Sequence, residues 1–160
     1  MFKITDLKQV MRRWPSGVAV ITASYESKAH GMTVNSFTSV SVDPPMVTVT
    51  LANATRTKGL VDRSGYFAIN LLSEGQNDIS DRFAGRIAED EDRFNGLSVK
   101  AGMASLPLLE VAAAHLECRV VHTYVMQNST LYIGEVLKAE KAQEKPPLVY
   151  FNRDYHRVKK

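Results

Sequence analysis

G-M-T-V-N-S-F-T-S-V-S-V-D-P-P, residues Gly31 to Pro45, runs directly into M-V-T-V-T-L at Met46 to Leu51. The second stretch alternates apolar and hydroxyl side chains at period two. Val47, Val49 and Leu51 therefore share one face of a strand, and Thr48 and Thr50 share the other. Asp43-Pro44-Pro45 separates the two stretches, because proline cannot donate to a ladder and restricts the residue before it. Met32 to Val42 then reads as one or two strands. Six of the fifteen residues from Gly31 to Pro45 are Ser, Thr or Asn, and the one charge is Asp43. A solvated loop would carry more charge, and a purely structural strand would use fewer hydrogen-bonding groups. The mixture suits a surface that holds a large, flat, polar-edged ligand against an apolar floor.

Upstream, Thr5 or Asp6 can cap a short helix through Leu7, Val10 and Met11, which Pro15 and Gly17 terminate. G-V-A-V-I-T-A then reads as a strand. Downstream, Ala52 to Lys58 is polar and can open a helix with Thr55 or Thr57 near its N-terminus and a break at Gly65. Y-F-A-I-N-L-L at Tyr66 to Leu72 is strand-like, Ser73 to Phe83 is helical, and Ala88 to Asn95 is a charged, exposed stretch. Strand character returns from Ala112, on both sides of a polar turn at Gln127-Asn128-Ser129, and again in P-L-V-Y-F. Six or seven short strands with a few inserted helices point to a mainly β protein, a barrel with helical decoration.

The 160 residues suit one domain, residues 1–160, with no repeat and no obvious linker. Hydrophobic content of 44% and charged content of 23% are ordinary globular values and argue against disorder. No apolar run reaches the roughly 20 residues of a membrane span, and the N-terminus lacks a signal-peptide core; cytoplasmic placement is the expectation. A net charge of +3, with scattered basic residues, does not argue for nucleic acid. Cys118 is the one cysteine, so no intramolecular disulfide can form; it reads as a small buried hydrophobe. The four histidines lie at no metal-ligand spacing, and no G-x-G-x-x-G, phosphate-binding G-x-x-x-x-G-K or G-x-S-x-G motif is present. If the chain is an enzyme, a cofactor carries the hard chemistry.

The order of motifs resembles the short-chain NAD(P)H:flavin reductases of two-component monooxygenases, built on the FMN-binding split β-barrel. The elements are P-S-G-V-A-V-I-T (Pro15–Thr22), the Gly31–Pro45 block, the polar segment Asn53–Thr57 and F-A-I-N-L-L-S (Phe67–Ser73). R-F-A (Arg82–Ala84), R-F-N-G (Arg93–Gly96), L-E-C-R-V (Leu116–Val120), I-G-E-V (Ile133–Val136) and P-L-V-Y-F (Pro147–Phe151) follow in order.

The resemblance implies a mainly β split barrel with a few short peripheral helices. It also implies a homodimer with the flavin, FAD or FMN, at the barrel surface near the subunit interface. Thr33, Val34, Asn35 and Ser36 match the segment that meets the isoalloxazine edge, with Ser39, Val40 and Ser41 close by. Ala52, Asn53, Thr55, Thr57 and Lys58 match the phosphate-contacting turn, with Phe83 and Arg86 as further flavin contacts. No catalytic side chain is implied, since hydride passes directly from NADH or NADPH to the flavin. The reduced flavin would serve a partner monooxygenase by diffusion. One departure stands out: many relatives carry G-D-H ahead of I-G-E-V, and here that register reads Gln127-Asn128-Ser129. Ser129 thus stands where a histidine approaches the nicotinamide, and Tyr155 stands in the register of an aromatic on that side. The competing readings are a non-enzymatic flavin-binding or electron-transfer protein on the same fold, and a flavin-free binding module. Asn35 is expected to need a partner for its amide, Phe37 and Trp14 to be core rings, and Arg82, Arg86 and Arg93 to be solvated charges or ligands in equal measure.

Overall fold

In the computed structural model, residues 3–86 and 92–158 are described. Helix α1 (Ile4–Met11) leads through β1 (Ser16–Gly17) into β2 (Ala19–Tyr25), β3 (Lys28–Val34), β4 (Thr38–Val42) and β5 (Pro45–Ala52). Helix α2 (Arg56–Ser64), β6 (Tyr66–Leu71) and α3 (Asn77–Asp81) follow, with one wider helical turn over Arg82–Arg86. The short pair β7 (Val99–Ala101) and β8 (Pro107–Leu109) precedes the long hairpin β9 (Ala114–Val125) and β10 (Ser129–Lys141). Strands β11 (Val149–Phe151) and β12 (Asp154–His156) come last.

Seven strands pair antiparallel in the order β3-β2-β6-β9-β10-β5-β4. In a flat sheet, β3 and β4 would stand on opposite edges, about 29 Å apart. Only residues 35–37 join them, a link that spans about 14 Å at full extension. The sheet must therefore curl until its two edges meet, which makes a split barrel. Ser36 stitches the seam: its hydroxyl donates to Thr50 O at 2.9 Å and accepts from Thr50 N–H at 3.2 Å. The mainly β split-barrel expectation holds, with α1, α2 and α3 as the short peripheral helices.

The apolar run of β2 is buried on both faces. Ala19, Ile21 and Ala23 face the barrel core with Val47, Val49, Leu51, Phe67, Ile69, Cys118 and Tyr132. Val18 and Val20 face a second cluster with Leu72, Ile79, Phe83 and Leu148. Beneath the β7–β8 pair, which the sequence pattern does not announce, β2 and β6 turn polar. Asn70 is fully buried; its amide donates to Val20 O at 3.1 Å and accepts from Leu109 N–H at 2.8 Å.

Helix α1 starts two to three residues earlier than a Thr5 or Asp6 cap implies, with Lys3 as its N-cap and the Asp6 carboxylate accepting from Lys3 N–H at 3.2 Å. No residue of α1 is buried, and Trp14 is 69% exposed rather than in the core. Phe37 does pack on the barrel core. The charged stretch Ala88–Asn95 is corrected at Arg93, which is buried; residues 88–91 of it lie outside the described residues, as do Lys159 and Lys160. No helix among the described residues is long and apolar enough to cross a membrane.

Cys118 is fully buried on β9, and burial, with the adjacent Glu117 carboxylate second, pushes its thiol up to about 12. A thiol held protonated and covered is a poor nucleophile. A disulfide reagent at pH 8 should label none of the native protein and one thiol per chain after unfolding. Stoichiometric labelling of the native protein would contradict this burial.

Candidate flavin site at the barrel seam

Thr33, at the end of β3, sits between two cavities. One, of about 500 Å³, lies toward α2 and is lined by His30, Met32, Thr55, Arg56, Phe83 and Arg93, among others. The other, of about 170 Å³, is lined by Val34, Asn35, Ser80, Arg86, Tyr150 and Tyr155 beside Thr33. The Thr33 hydroxyl donates to Ser80 O at 2.7 Å and so joins β3 to the end of α3. A third cavity, about 350 Å³, runs beneath Phe37, Thr38 and Ser39 to Leu148.

Sequence chemistry explains the wall toward α2. Thr55 caps the helix: its hydroxyl accepts from Lys58 N–H at 3.4 Å and donates to Ala52 O at 2.8 Å. Gly65 ends the helix in the left-handed region, at φ 73°, where glycine carries no steric penalty. The first-turn N–H groups of a helix lack intrahelical partners and favour anions, and here they stand beside His30, Arg56 and Arg93. Arg93 is buried, and its guanidinium donates to Gly31 O and Phe83 O, both at 3.1 Å. Phe83 is fully buried against Phe94, edge to face at 5.3 Å, and also lines the cavity, so it is both core and wall. Gly31 makes room for it: a Cβ there would lie 2.8 Å from Phe83 Cε1.

Several expected ligand side chains turn out to be committed elsewhere. Asn53 pins the β9–β10 turn, donating to Met126 O at 2.9 Å and accepting from the Thr130 hydroxyl at 2.7 Å. Thr57 is fully buried, its hydroxyl 2.9 Å from His30 Nδ1. Lys58 pairs with Asp62 at 2.6 Å, and Asp62 also accepts from the Tyr132 hydroxyl. Ser36 holds the seam. Asn35, by contrast, is exposed, and its amide makes no hydrogen bond among the described residues. Ser39 and Val40 are exposed on the edge strand β4, with Ser41 half-buried.

Tyr155 is brought to the same place as Thr33, Val34, Asn35 and Arg86 by the small sheet β1-β11-β12. Its hydroxyl donates to Asp81 at 2.7 Å, lies 2.8 Å from Ser80 Oγ, and has its pKa raised by burial, with Ser80 opposing and Asp81 reinforcing. Arg86 pairs with the same Asp81 at 2.9 Å. Arg82 is turned away, donating to Asn95 O at 2.8 Å. Ser129 is not brought to Tyr155. It opens β10 opposite Ala52, beside Asn53, whose N–H donates to Asn128 O at 3.0 Å. His30 and Arg56 are cavity residues that sequence reading does not single out, and Arg93, in R-F-N-G, is one it leaves open between ligand and solvated charge. Among the described residues, no group of three or more His, Cys, Asp or Glu could hold a metal ion.

The flavin reductase like domain matches residues 11–159. The reductase component of 4-hydroxyphenylacetate 3-monooxygenase from Thermus thermophilus is 33% identical, over 94% of this chain and 94% of its own. The NADH-dependent flavin reductase StyB of Pseudomonas fluorescens is 37% identical, over 95% of this chain and 88% of its own. Among solved structures, the flavin reductase PheA2 superposes with a TM-score of 0.89 at 30% identity, covering 99% of this chain and 100% of its own. The NADH:FAD oxidoreductase SgcE6 of Streptomyces globisporus, in complex with NAD and FAD fragments, gives 0.88 at 30% identity, covering 97% and 92%. A match of this length and identity, on a seamed barrel with an anion-favouring cavity, places the chain in the flavin reductase-like domain family.

Proposed function

We propose that this protein is an NAD(P)H:flavin oxidoreductase that reduces FAD or FMN and hands the reduced flavin to a partner monooxygenase. The observation that carries the reading is the exposed, uncommitted Asn35 amide on the cavity of Tyr155, two residues from Thr33, which lines that cavity and the cation-lined one. A flavin presents alternating donors and acceptors at its pyrimidine edge and a phosphate at the end of its ribityl chain. An amide supplies one of each, and His30, Arg56, Arg93 and the first turn of α2 suit the phosphate. Bound flavin accepts hydride directly from the nicotinamide. The chain's own task is then to bind, orient and shield two flat rings, with no protein acid or base required.

Thr33, Val34, Arg86 and Tyr155 form the wall on which the nicotinamide stacks against the flavin, and Phe83 backs the phosphate end. Ser39, Val40, Ser41, Ala52 and Ser129 lie along the seam and the hairpin tip, where a second copy of the chain completes the site. Exposed Ile4, Leu7, Val10 and Met11 along α1, and exposed Val40 and Val42 on β4, favour such a homodimer, since apolar side chains left uncovered on one element suit an interface. Residues 1–160 act as one such domain, in the cytoplasm, with the reduced flavin diffusing to the oxygenase.

The test is a flavin titration of Asn35→Ala. Flavin affinity falls by about 1–2 kcal/mol while thermal stability is unchanged, because the amide has no internal bond to lose. Ser36→Ala behaves oppositely, losing the seam bonds and about 1 kcal/mol of stability. Unchanged affinity in folded Asn35→Ala would remove Asn35 from the site.

A further inference from the structure

The cavity of Tyr155 is closed by residues from separate parts of the chain: Thr33 and Asn35 at the end of β3, Arg86 after α3, and Tyr150 and Tyr155 from the small sheet. Tyr155 and Arg86 are the long side chains among them, and they come from different elements. Both converge on one atom. Asp81 Oδ1 accepts from the Tyr155 hydroxyl at 2.7 Å and stands 2.9 Å from the Arg86 guanidinium. Asp81 is not itself among the residues that line the cavity, so it acts from behind them.

Local chain geometry produces the convergence. Asp81 is the last residue of α3, and the turn that follows breaks at Gly85, whose φ of 78° lies in the left-handed region. Arg86, the next residue, comes back beside Asp81. Ser80 holds the other side: its carbonyl accepts from the Thr33 hydroxyl at 2.7 Å, and its own hydroxyl lies 2.8 Å from that of Tyr155. The Tyr155 ring also meets Tyr150 edge to face at 5.6 Å. A phenol packed along its ring and gripped at its tip keeps one orientation. Stability does not call for this arrangement. The Arg86 side chain is 63% exposed and that of Asp81 34%, and ion pairs open to water contribute little to folding. What the carboxylate fixes is the separation of two cavity walls.

We propose that Asp81 is a positioning residue for hydride transfer: it holds the Tyr155 ring and the Arg86 guanidinium at the spacing that presses the nicotinamide onto the flavin. The proposal rests on the reading above in which Tyr155 and Arg86 wall the nicotinamide. A misplacement of about 1 Å between reacting groups can cost roughly 100-fold in rate, so a residue that touches neither ring can govern the transfer. Flavin affinity is held by other elements, through Asn35, α2 and Arg93, and should not move.

The test measures kcat and KM for NADH at saturating free flavin, with flavin affinity and melting temperature alongside. It uses the full chain, Asp81→Ala, Asp81→Asn, Tyr155→Phe and the double variant of Asp81→Ala with Tyr155→Phe. In Asp81→Ala, kcat/KM falls roughly ten-fold or more, while flavin affinity and melting temperature keep their wild-type values. Asp81→Asn, which keeps an acceptor for the phenol, recovers most of that loss. Tyr155→Phe loses nearly as much as Asp81→Ala, and the double variant is no worse than Asp81→Ala, because both changes release the same ring. A folded Asp81→Ala with wild-type kcat/KM overturns the proposal, and so do losses that multiply in the double variant. Flavin affinity and melting temperature that fall in step with kcat/KM overturn it too, by making Asp81 a structural residue only. If Asp81→Ala does not fold, wild-type kcat/KM in Tyr155→Phe overturns the proposal instead. A wild type that oxidises no NADH with either FAD or FMN overturns the oxidoreductase reading itself, and the positioning role with it.

Discussion

Gly134→Val is expected to cost about 3 kcal/mol or more and to leave little folded protein. Gly134 is the glycine of I-G-E-V on β10. Even a Cβ there would stand 2.5 Å from Phe67 Cζ, 2.8 Å from Phe67 Cε1 and 3.1 Å from Cys118 Cβ. Phe67 is fully buried among Ile69, Val49 and Tyr132, so its ring has nowhere to go. Forcing extra carbon into a close-packed core commonly costs about 1–3 kcal/mol, and a branched side chain against a fixed ring belongs at the top of that range. The motif thus records a ring crossing a strand, which is a packing requirement rather than a ligand contact. Urea unfolding measures the loss. The double variant Phe67→Leu with Gly134→Ala should be more stable than the two single effects add up to, since the smaller side chain vacates the clash. A Gly134→Val protein within about 1 kcal/mol of wild type would show that the strand can move away from Phe67.

Arg93→Met combines a structural and a functional loss. The buried guanidinium satisfies Gly31 O and Phe83 O and forms part of the wall of the cation-lined cavity. Methionine keeps the stem's volume and leaves the two carbonyls without that donor, a cost of about 2–4 kcal/mol. Flavin affinity, measured at a temperature where the variant is folded, falls by roughly ten-fold or more, because a desolvated cation near a phosphate is worth at least one charge-assisted bond. Lysine restores the charge without the planar fork and recovers only part of both effects. Wild-type stability together with wild-type affinity in Arg93→Met would place the phosphate elsewhere.

The parts of the fold that were legible in the sequence are those with a long, regular pattern. Alternation from Met46 to Leu51 gave the faces of β5, and Val47, Val49 and Leu51 are indeed the buried ones. Thr55 and Gly65 marked the limits of α2 because capping chemistry is local. Strands β7, β8 and β12 were not legible, since three residues cannot display a period. That omission hid both the cover over Asn70 and the element that carries Tyr155 to Thr33. Asn53 shows a different limit. An amide in a polar turn has the same chemistry whether it meets a ligand or ties down a neighbouring hairpin, and the sequence alone does not separate the two. Arg93 sits in a run of charges and reads equally as a solvated charge or a ligand; only the fold reveals that two carbonyls converge on it. Ser129, taken from register alone, lies opposite Ala52 and is not among the residues that line the cavity of Tyr155.

The most direct test of the central claim is aerobic oxidation of NADH and of NADPH by the purified protein, with and without added free FAD or FMN. Oxidation that rises and saturates with free flavin, and falls in Asn35→Ala, is the predicted result and defines a reductase using flavin as a substrate. Flavin binding without any nicotinamide oxidation would contradict it and make the protein a flavin carrier or electron-transfer protein on the same barrel.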